Sequence, residues 1–247
     1  YEEAASQGLI AGINAVQKIK GKDPVILDRS DAYIGVLIDD LITKGTDEPY
    51  RIMTSRAEYR LILRQDNTDI RLTELGRKIG LVDDKRYKIY LKRKKLRKEA
   101  EKELQTVVPF KTCKEFLKDL VEGEIIKPLS YQDMIKRGVS IFDIKNYFNT
   151  FLNCPKDILE TLETDIKYEG YIKKELEQIE RSKKLKSKTL PTDVDYLKIE
   201  GLRMEARQKL NDVKPLNLDQ ASRISGVNPA DIAVLMVWLK SKNGKEN

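Results

Sequence analysis

Histidine is absent from the 247 residues. That excludes Ser-His-Asp and Cys-His catalysis, histidine acid/base chemistry and the usual His-containing zinc or iron sites. Cysteine is nearly absent. Cys113 and Cys154 stand far apart with no C-x-x-C neighbour, so they read as free structural thiols in a reducing compartment, with neither a disulfide scaffold nor a metal site. No long apolar run exists: the longest is Ile232 to Leu239, against the roughly 18 to 20 residues of a membrane span, and no basic-then-hydrophobic leader opens the chain. The expectation is a cytoplasmic protein with no membrane role. The chain begins at Tyr1, directly in a helical pattern, and is read as a fragment whose missing part lay upstream.

What is abundant is charge. Lys and Arg number 47 against 40 Asp and Glu, a net +7, which favours a polyanionic partner. The distribution is uneven. Between Lys85 and Leu104 stand ten bases, including Lys92, Arg93 and Lys95, and three acids, Glu99, Glu101 and Glu103. Ten minus three is +7, so the rest of the chain is neutral on balance. With sparse apolar periodicity, this stretch predicts an exposed helix projecting from the body, suited to RNA phosphates or else merely solvated.

A second basic feature lies in residues 48 to 71. If 54 to 64 is helical, Arg56, Arg60 and Arg64 form one stripe spread over about 80°, supported by Tyr59, Ile62 and Leu63 on an adjoining face. Arginine binds phosphate bidentately and stacks on bases, so this stripe, with Arg51 before it, is a candidate RNA contact. The alternative is a solvated face or an ion-pair lattice with Glu58 and Asp66.

Elsewhere the pattern is helical. Residues Glu2 to Ile19 carry Ala4, Gly8, Ala11, Gly12 and Ala15 at spacings of three and four. Glycine inside a helix costs about 0.5–1 kcal/mol against alanine, so this bare face implies close approach to a sheet or a ligand. Ser30 or Asp31 can cap a helix with Ile34, Leu37, Ile38 and Leu41 on its core face, and Asp39-Asp40 reads as solvated. Shorter helices are expected over Cys113 to Leu120, Tyr131 to Arg137 and Ser140 to Leu152, then a long one from Pro155 to about Lys188. Beyond Pro191, Ile199-Glu-Gly-Leu202 and Ile224-Ser-Gly-Val227 each precede a helical run. They echo a phosphate-gripping helix-hairpin-helix, although Arg203 and Asn228 stand where its second glycine would be, so a plain helix junction is the other reading. Asn228-Pro229-Ala-Asp231 starts a helix apolar on every side. A small subdomain would struggle to bury it, which makes Trp238 a candidate partner anchor.

Six strings carry a family resemblance: Tyr1-Glu-Glu-Ala-Ala-Ser-Gln-Gly-Leu-Ile-Ala-Gly-Ile-Asn-Ala15, Tyr33-Ile-Gly-Val-Leu-Ile-Asp-Asp-Leu41, Glu48-Pro-Tyr-Arg51, Thr54-Ser-Arg-Ala-Glu-Tyr-Arg-Leu61, Tyr168-Glu-Gly-Tyr-Ile172 and Gln220-Ala-Ser-Arg-Ile-Ser-Gly-Val227. In order and across nearly the whole chain, they resemble the C-terminal portion of the MnmG (GidA) family of FAD-binding tRNA uridine 5-carboxymethylaminomethyl modification enzymes. The resemblance implies an enzyme that uses FAD and NADH and, with a GTPase partner, modifies C5 of the wobble uridine (U34) of tRNA, as a homodimer that joins the GTPase in a heterotetramer. It implies further that Gln7, with Gly8 and Gly12, faces FAD, that the Arg56 to Arg64 string lies near tRNA, and that the tail, with Arg223 and Ser225 at the turn before its last helix, meets the GTPase. The family's dinucleotide loop and catalytic cysteines belong upstream, so this stretch holds no catalytic residue and alone is expected neither to retain FAD nor to catalyse.

The expected fold is mainly α: remnant helices of an FAD-binding domain in 1–47, a basic tRNA-facing helical domain in 48–165, and a small C-terminal helical subdomain for partner docking in 166–247. The rival readings are a non-catalytic nucleic-acid module built on the two glycine junctions, and a helical scaffold for partner docking alone.

Overall fold

A computed structural model describes residues 1 to 46 and 48 to 243; position 47 and the last four positions of the tail segment lie outside the described residues. Among the described residues the α-helices are α1 (Glu2–Ile19), α2 (Tyr33–Thr43), α3 (Thr68–Lys78), α4 (Asp84–Glu103), α5 (Phe110–Leu117), α6 (Tyr131–Lys136), α7 (Ile141–Phe148), α8 (Lys156–Lys167), α9 (Glu169–Lys186), α10 (Met204–Val213), α11 (Leu218–Arg223) and α12 (Pro229–Asn243). The only sheet among them pairs two-residue strands, β1 (Val107–Val108) antiparallel to β2 (Leu129–Ser130). The mainly α expectation holds. Helix α3 and the small ladder are additions to it.

The chain forms two compact units, residues 1–60 with 174–247 and residues 61–173. The grouping differs from three consecutive segments, because the first sixty residues pack with the tail.

In the first unit, Gly21 ends α1 at φ +62°, and Asn14 then holds the returning chain, its amide exchanging hydrogen bonds of 3.1 and 2.7 Å with the backbone of Val25. Helix α2 is laid directly on that chain. A Cβ added at Gly35 would stand 2.2 Å from the Asp28 carbonyl oxygen, so only glycine fits there. The tail core gathers Tyr196, Leu202, Leu210, Leu218, Ile224, Leu235 and their neighbours.

In the second unit, α4 to α8 wrap a core that includes Leu104, Cys113, Leu117, Met134, Ile141, Ile144 and Leu159. Cys113 and Cys154 are buried free thiols, in line with a structural role. Ser130 and Asp133 form a reciprocal capping box at the start of α6.

Two helical expectations change. The long helix from Pro155 to Lys188 is two helices, α8 and α9, divided at Tyr168 (φ −103°, ψ 11°). The aliphatic phase shifts there: Ile158, Leu162 and Ile166 step by four, and the next aliphatic residue, Ile172, follows by six, with Tyr168 between. Residues 54–64 contain only a 3₁₀ turn, Thr54–Arg56, after which Ala57 is extended. The arginine stripe therefore does not form. Arg29 donates to the Arg56 carbonyl at 3.1 Å and to the Glu58 carboxylate at 2.7 Å, and these tertiary bonds override local helix propensity.

Candidate functional site

Helix α1 buries none of its residues. A Cβ added at Gly8 or Gly12 meets nothing within 4 Å, so no sheet of the described chain packs there and the small-residue face is open. Gln7 is exposed on the same helix, its amide donating at 3.3 Å to the Glu3 carbonyl one turn back. Glu3 in turn accepts the Ile52 N–H at 2.8 Å, tying the helix start to the segment carrying Arg51 and Arg56.

That segment hangs on one buried residue. Arg29, 6% exposed, donates to Asp40 at 2.7 Å, to Asp39 at 3.1 Å, to Glu58 at 2.7 Å and to the Val36 and Arg56 carbonyls. Asp40 accepts from the Tyr50 hydroxyl at 2.6 Å and pairs with Lys44 at 2.9 Å. Burial pushes the Asp40 carboxyl up, but hydrogen bonds from Tyr50, Lys44 and Arg29 outweigh it and hold the group below the ordinary value. Burial and the Asp40 charge push the Tyr50 hydroxyl up, keeping it a neutral donor. The ring of Tyr50 is then presented to Arg56, whose guanidinium lies 4.3 Å from its centroid. Arg51, Arg56 and Arg60 are exposed.

The expectation of a solvated Asp39-Asp40 pair is corrected: Asp40 is 1% exposed. Its position was readable as inward, since it follows the buried Val36 and Leu37 by four and three residues. Arg29 carried no comparable signal, because most of its partners come from distant positions. Asp39 serves a second arginine: Arg223 donates to it at 2.7 and 2.9 Å and also pairs with Asp219. A cleft of about 350 Å³ beside these pairs is lined by Ile26, Ile38, Tyr59, Leu216 and the matched charges themselves, so its arginines are already partnered.

Arg64, Arg93 and Arg97 of the basic regions are held in ion pairs. Arg64, in the second unit, donates to Asp66 at 3.0 Å, to Asp165 at 2.5 Å and to the Leu61 carbonyl at 2.7 Å, which is the ion-pair lattice, although the acceptors beyond Asp66 lie elsewhere than Glu58. Arg93 pairs with Asp69 at 3.4 Å and Asp157 at 2.5 Å. Arg97 pairs with Asp165 at 2.6 Å and Glu101 at 2.9 Å. These bonds, with Tyr90 and Ala100 buried, lay α4 against α3 and α8 instead of letting it project. Lys92 and Lys95 are exposed on it.

In the tail, Gly201 and Gly226 take φ +86° and +93°, as the two glycine junctions require. The junctions are saturated by their own chain. Asp231, 2% exposed, accepts from the Arg203 side chain at 2.7 Å and from the Asn228 N–H at 2.9 Å, and Arg203 also donates to the Gly226 carbonyl. The Glu205 carboxylate oxygen lies 2.7 Å from where a Cβ of Gly226 would stand. Those groups occupy the place of a phosphate, so both are plain helix junctions. Asn228 and Asp231 cap α12 reciprocally, at 2.9 and 3.0 Å. On α12 itself, Ile232, Leu235 and Leu239 are core and Val237 is 67% exposed. Trp238 is half-buried against the core, with the Lys242 ammonium 4.9 Å from its ring. Ser225 is exposed.

Comparison with known proteins agrees in sequence and in fold. Residues 84–176 match a family model described as the tRNA modifying enzyme MnmG/GidA C-terminal helical domain, and residues 178–247 one described as the MnmG/GidA C-terminal helical bundle. The chain is 55% identical over its whole length to a Clostridium botulinum tRNA uridine 5-carboxymethylaminomethyl modification enzyme MnmG, covering 40% of that protein. It is 54% identical over 98% of its length to the enzyme of the same name from Clostridium kluyveri, covering 39% of it. Among solved structures, Aquifex aeolicus GidA superposes with a TM-score of 0.78 at 40% identity, over 97% of this chain and 38% of that one. The chain thus spans about two fifths of the length of the curated relatives it matches.

Proposed function

The chain belongs to the MnmG/GidA family as its C-terminal region, and from that premise we propose that it supplies an FAD- and NADH-dependent tRNA-modifying enzyme with a tRNA contact, one side of the flavin site and a docking surface for a GTPase. The whole protein's reaction, on this reading, is addition of a carboxymethylaminomethyl-type group at C5 of the wobble uridine. The observation that carries the tRNA contact is the Arg29 anchorage: a buried guanidinium fixes segment 50–58 so that Tyr50 and Arg56 stand as a stacked pair with Arg51 and Arg60 exposed beside them. A preformed aromatic-guanidinium pair suits unstacked bases and phosphates.

The open face of α1 fits a flat cofactor. Side chains are missing at Gly8 and Gly12, and Gln7 offers an exposed amide as donor and acceptor. Flavin, when bound, would supply the redox chemistry; Gln7, Gly8 and Gly12 are the residues of this chain that would hold it. For the GTPase, the exposed Val237 and half-buried Trp238 of α12 form the docking ridge. Arg223 fixes α11 from within through Asp39 and Asp219.

The test is the Arg56→Ala, Arg60→Ala double variant in the full-length protein. Equilibrium tRNA binding should weaken about tenfold or more, as two phosphate or base contacts are lost, with flavin content unchanged. Wild-type affinity in the double variant would refute the assignment.

A further inference from the structure

Helix α4 carries ten bases and four acids, +6 of the chain's net +7, and the fold sorts that helix by residue type. On α4, Arg93 and Arg97 turn to the carboxylates of Asp69, Asp157 and Asp165, and Lys94 turns to Glu74 at 2.9 Å. The other lysines do not. Among the described residues, Lys88, Lys92, Lys98 and Lys102 have no ion pair, and Lys95 has only a long one, 3.9 Å to Glu99. All five are exposed.

At 100° per residue, Lys88, Lys95 and Lys102 fall within about 40° of each other, with Lys92 and Lys98 on either side, opposite the face that buries Tyr90 and Ala100. The row runs about 21 Å along the axis at 1.5 Å per residue. Of the four acids on α4, Asp84 is paired to Arg77 in the first turn, Glu101 is paired to Arg97, and Glu103 is turned to the loop at Thr150 and Phe151. Only Glu99 stands in the row. The result is a predominantly basic ridge, five lysines to one glutamate, with ammonium groups on long stems, which hold phosphates as point charges without reading bases.

We propose that Lys88, Lys92, Lys95, Lys98 and Lys102 form a track for the RNA sugar-phosphate backbone, separate from the Arg56 contact and indifferent to sequence. The inward arginines are its foundation and do not touch RNA. The proposal rests on the reading that the chain binds tRNA and adds to it a second, non-specific surface. Charge complementarity selects the occupant. The ridge lacks the apolar stripe that would seat a helix in a membrane interface, so a polyanion in solution fits it best.

The experiment compares three forms of the full-length protein. One is wild type, one carries Lys88→Gln, Lys92→Gln, Lys95→Gln and Lys102→Gln, and the third is a charge-matched control with Lys111→Gln, Lys114→Gln, Lys118→Gln and Lys127→Gln, all exposed residues of the same unit. Affinity for tRNA and for an unrelated RNA hairpin is measured across a salt series, and thermal melting verifies folding. The ridge variant should lose affinity for both RNAs alike, roughly tenfold or more, and its log–log salt slope should flatten by about one unit per lost contact. The control should track wild type. A ridge variant with wild-type affinity and slope overturns the track while leaving the tRNA reading intact. So does a control that weakens equally, or a ridge variant that loses only tRNA and not the hairpin. A wild type that binds phosphatidylserine vesicles through the ridge, with RNA binding unaffected by its loss, also overturns it. A wild type that binds no RNA ends both readings.

Discussion

Arg29 shows how one residue sets the geometry of others that are exposed. Removing its guanidinium leaves Asp40, 1% exposed, with Tyr50 and Lys44 alone, and frees the Arg56 carbonyl and Glu58. Breaking one side of a buried pair costs about 3–5 kcal/mol. Arg29→Ala should therefore lower the urea midpoint substantially and release the Tyr50-Arg56 stack, whereas Arg56→Ala should leave stability within about 0.5 kcal/mol of wild type. Urea unfolding of the two variants checks this. The same carboxylates set the acid response. Asp40 and Asp231 are each pushed up by burial but held below the ordinary 3.8 by their hydrogen bonds and arginine partners. A carboxylate with a depressed folded value contributes fully above the unfolded value and loses its contribution as pH falls through the folded one. Stability should be flat from neutrality down to about pH 5 and fall below pH 4, and Asp40→Asn should shrink that fall.

At the scale of elements, the glycines of two helices give opposite expectations. Gly35→Ala drives a Cβ to 2.2 Å from backbone and should destabilise the first unit severely, by several kcal/mol. Gly8→Ala and Gly12→Ala meet open space and should raise stability by roughly 0.5–1 kcal/mol each. If the α1 face meets flavin, the same two changes should lower flavin retention in the full-length protein, so thermal melting and flavin absorbance should move in opposite directions. What was legible in the sequence followed local causes. The limits of α1, the cap of α12 at Asn228 and the basic character of α4 all depend on neighbours a few residues away. What was not legible depended on distant partners. Residues 54–64 have helical spacing, yet Arg29 draws them out of a helix, and Arg93 and Arg97 of α4 look like RNA ligands until Asp69, Asp157 and Asp165 arrive from α3 and α8. The break at Tyr168 lies between: its phase shift is written in the sequence but is masked by continuous helix formers on both sides.

At the scale of the whole molecule, no helix among the described residues is long and apolar enough to cross a membrane, and no group of His, Cys, Asp and Glu there could hold a metal. Of the chain's net +7, a single helix, α4, carries +6. That concentration of charge in one helix suits the RNA-positioning role proposed above. The two units divide the basic residues, Arg51, Arg56 and Arg60 in one and the α4 lysines in the other, so each should contribute to binding independently, and their losses should add in free energy. The most direct measurement is equilibrium binding of tRNA to the full-length protein from about 50 to 200 mM salt. With several phosphate contacts, affinity should fall by at least an order of magnitude over that range, with a log–log slope of about −3 or steeper. A slope near zero, or no binding at the lowest salt, would contradict the account.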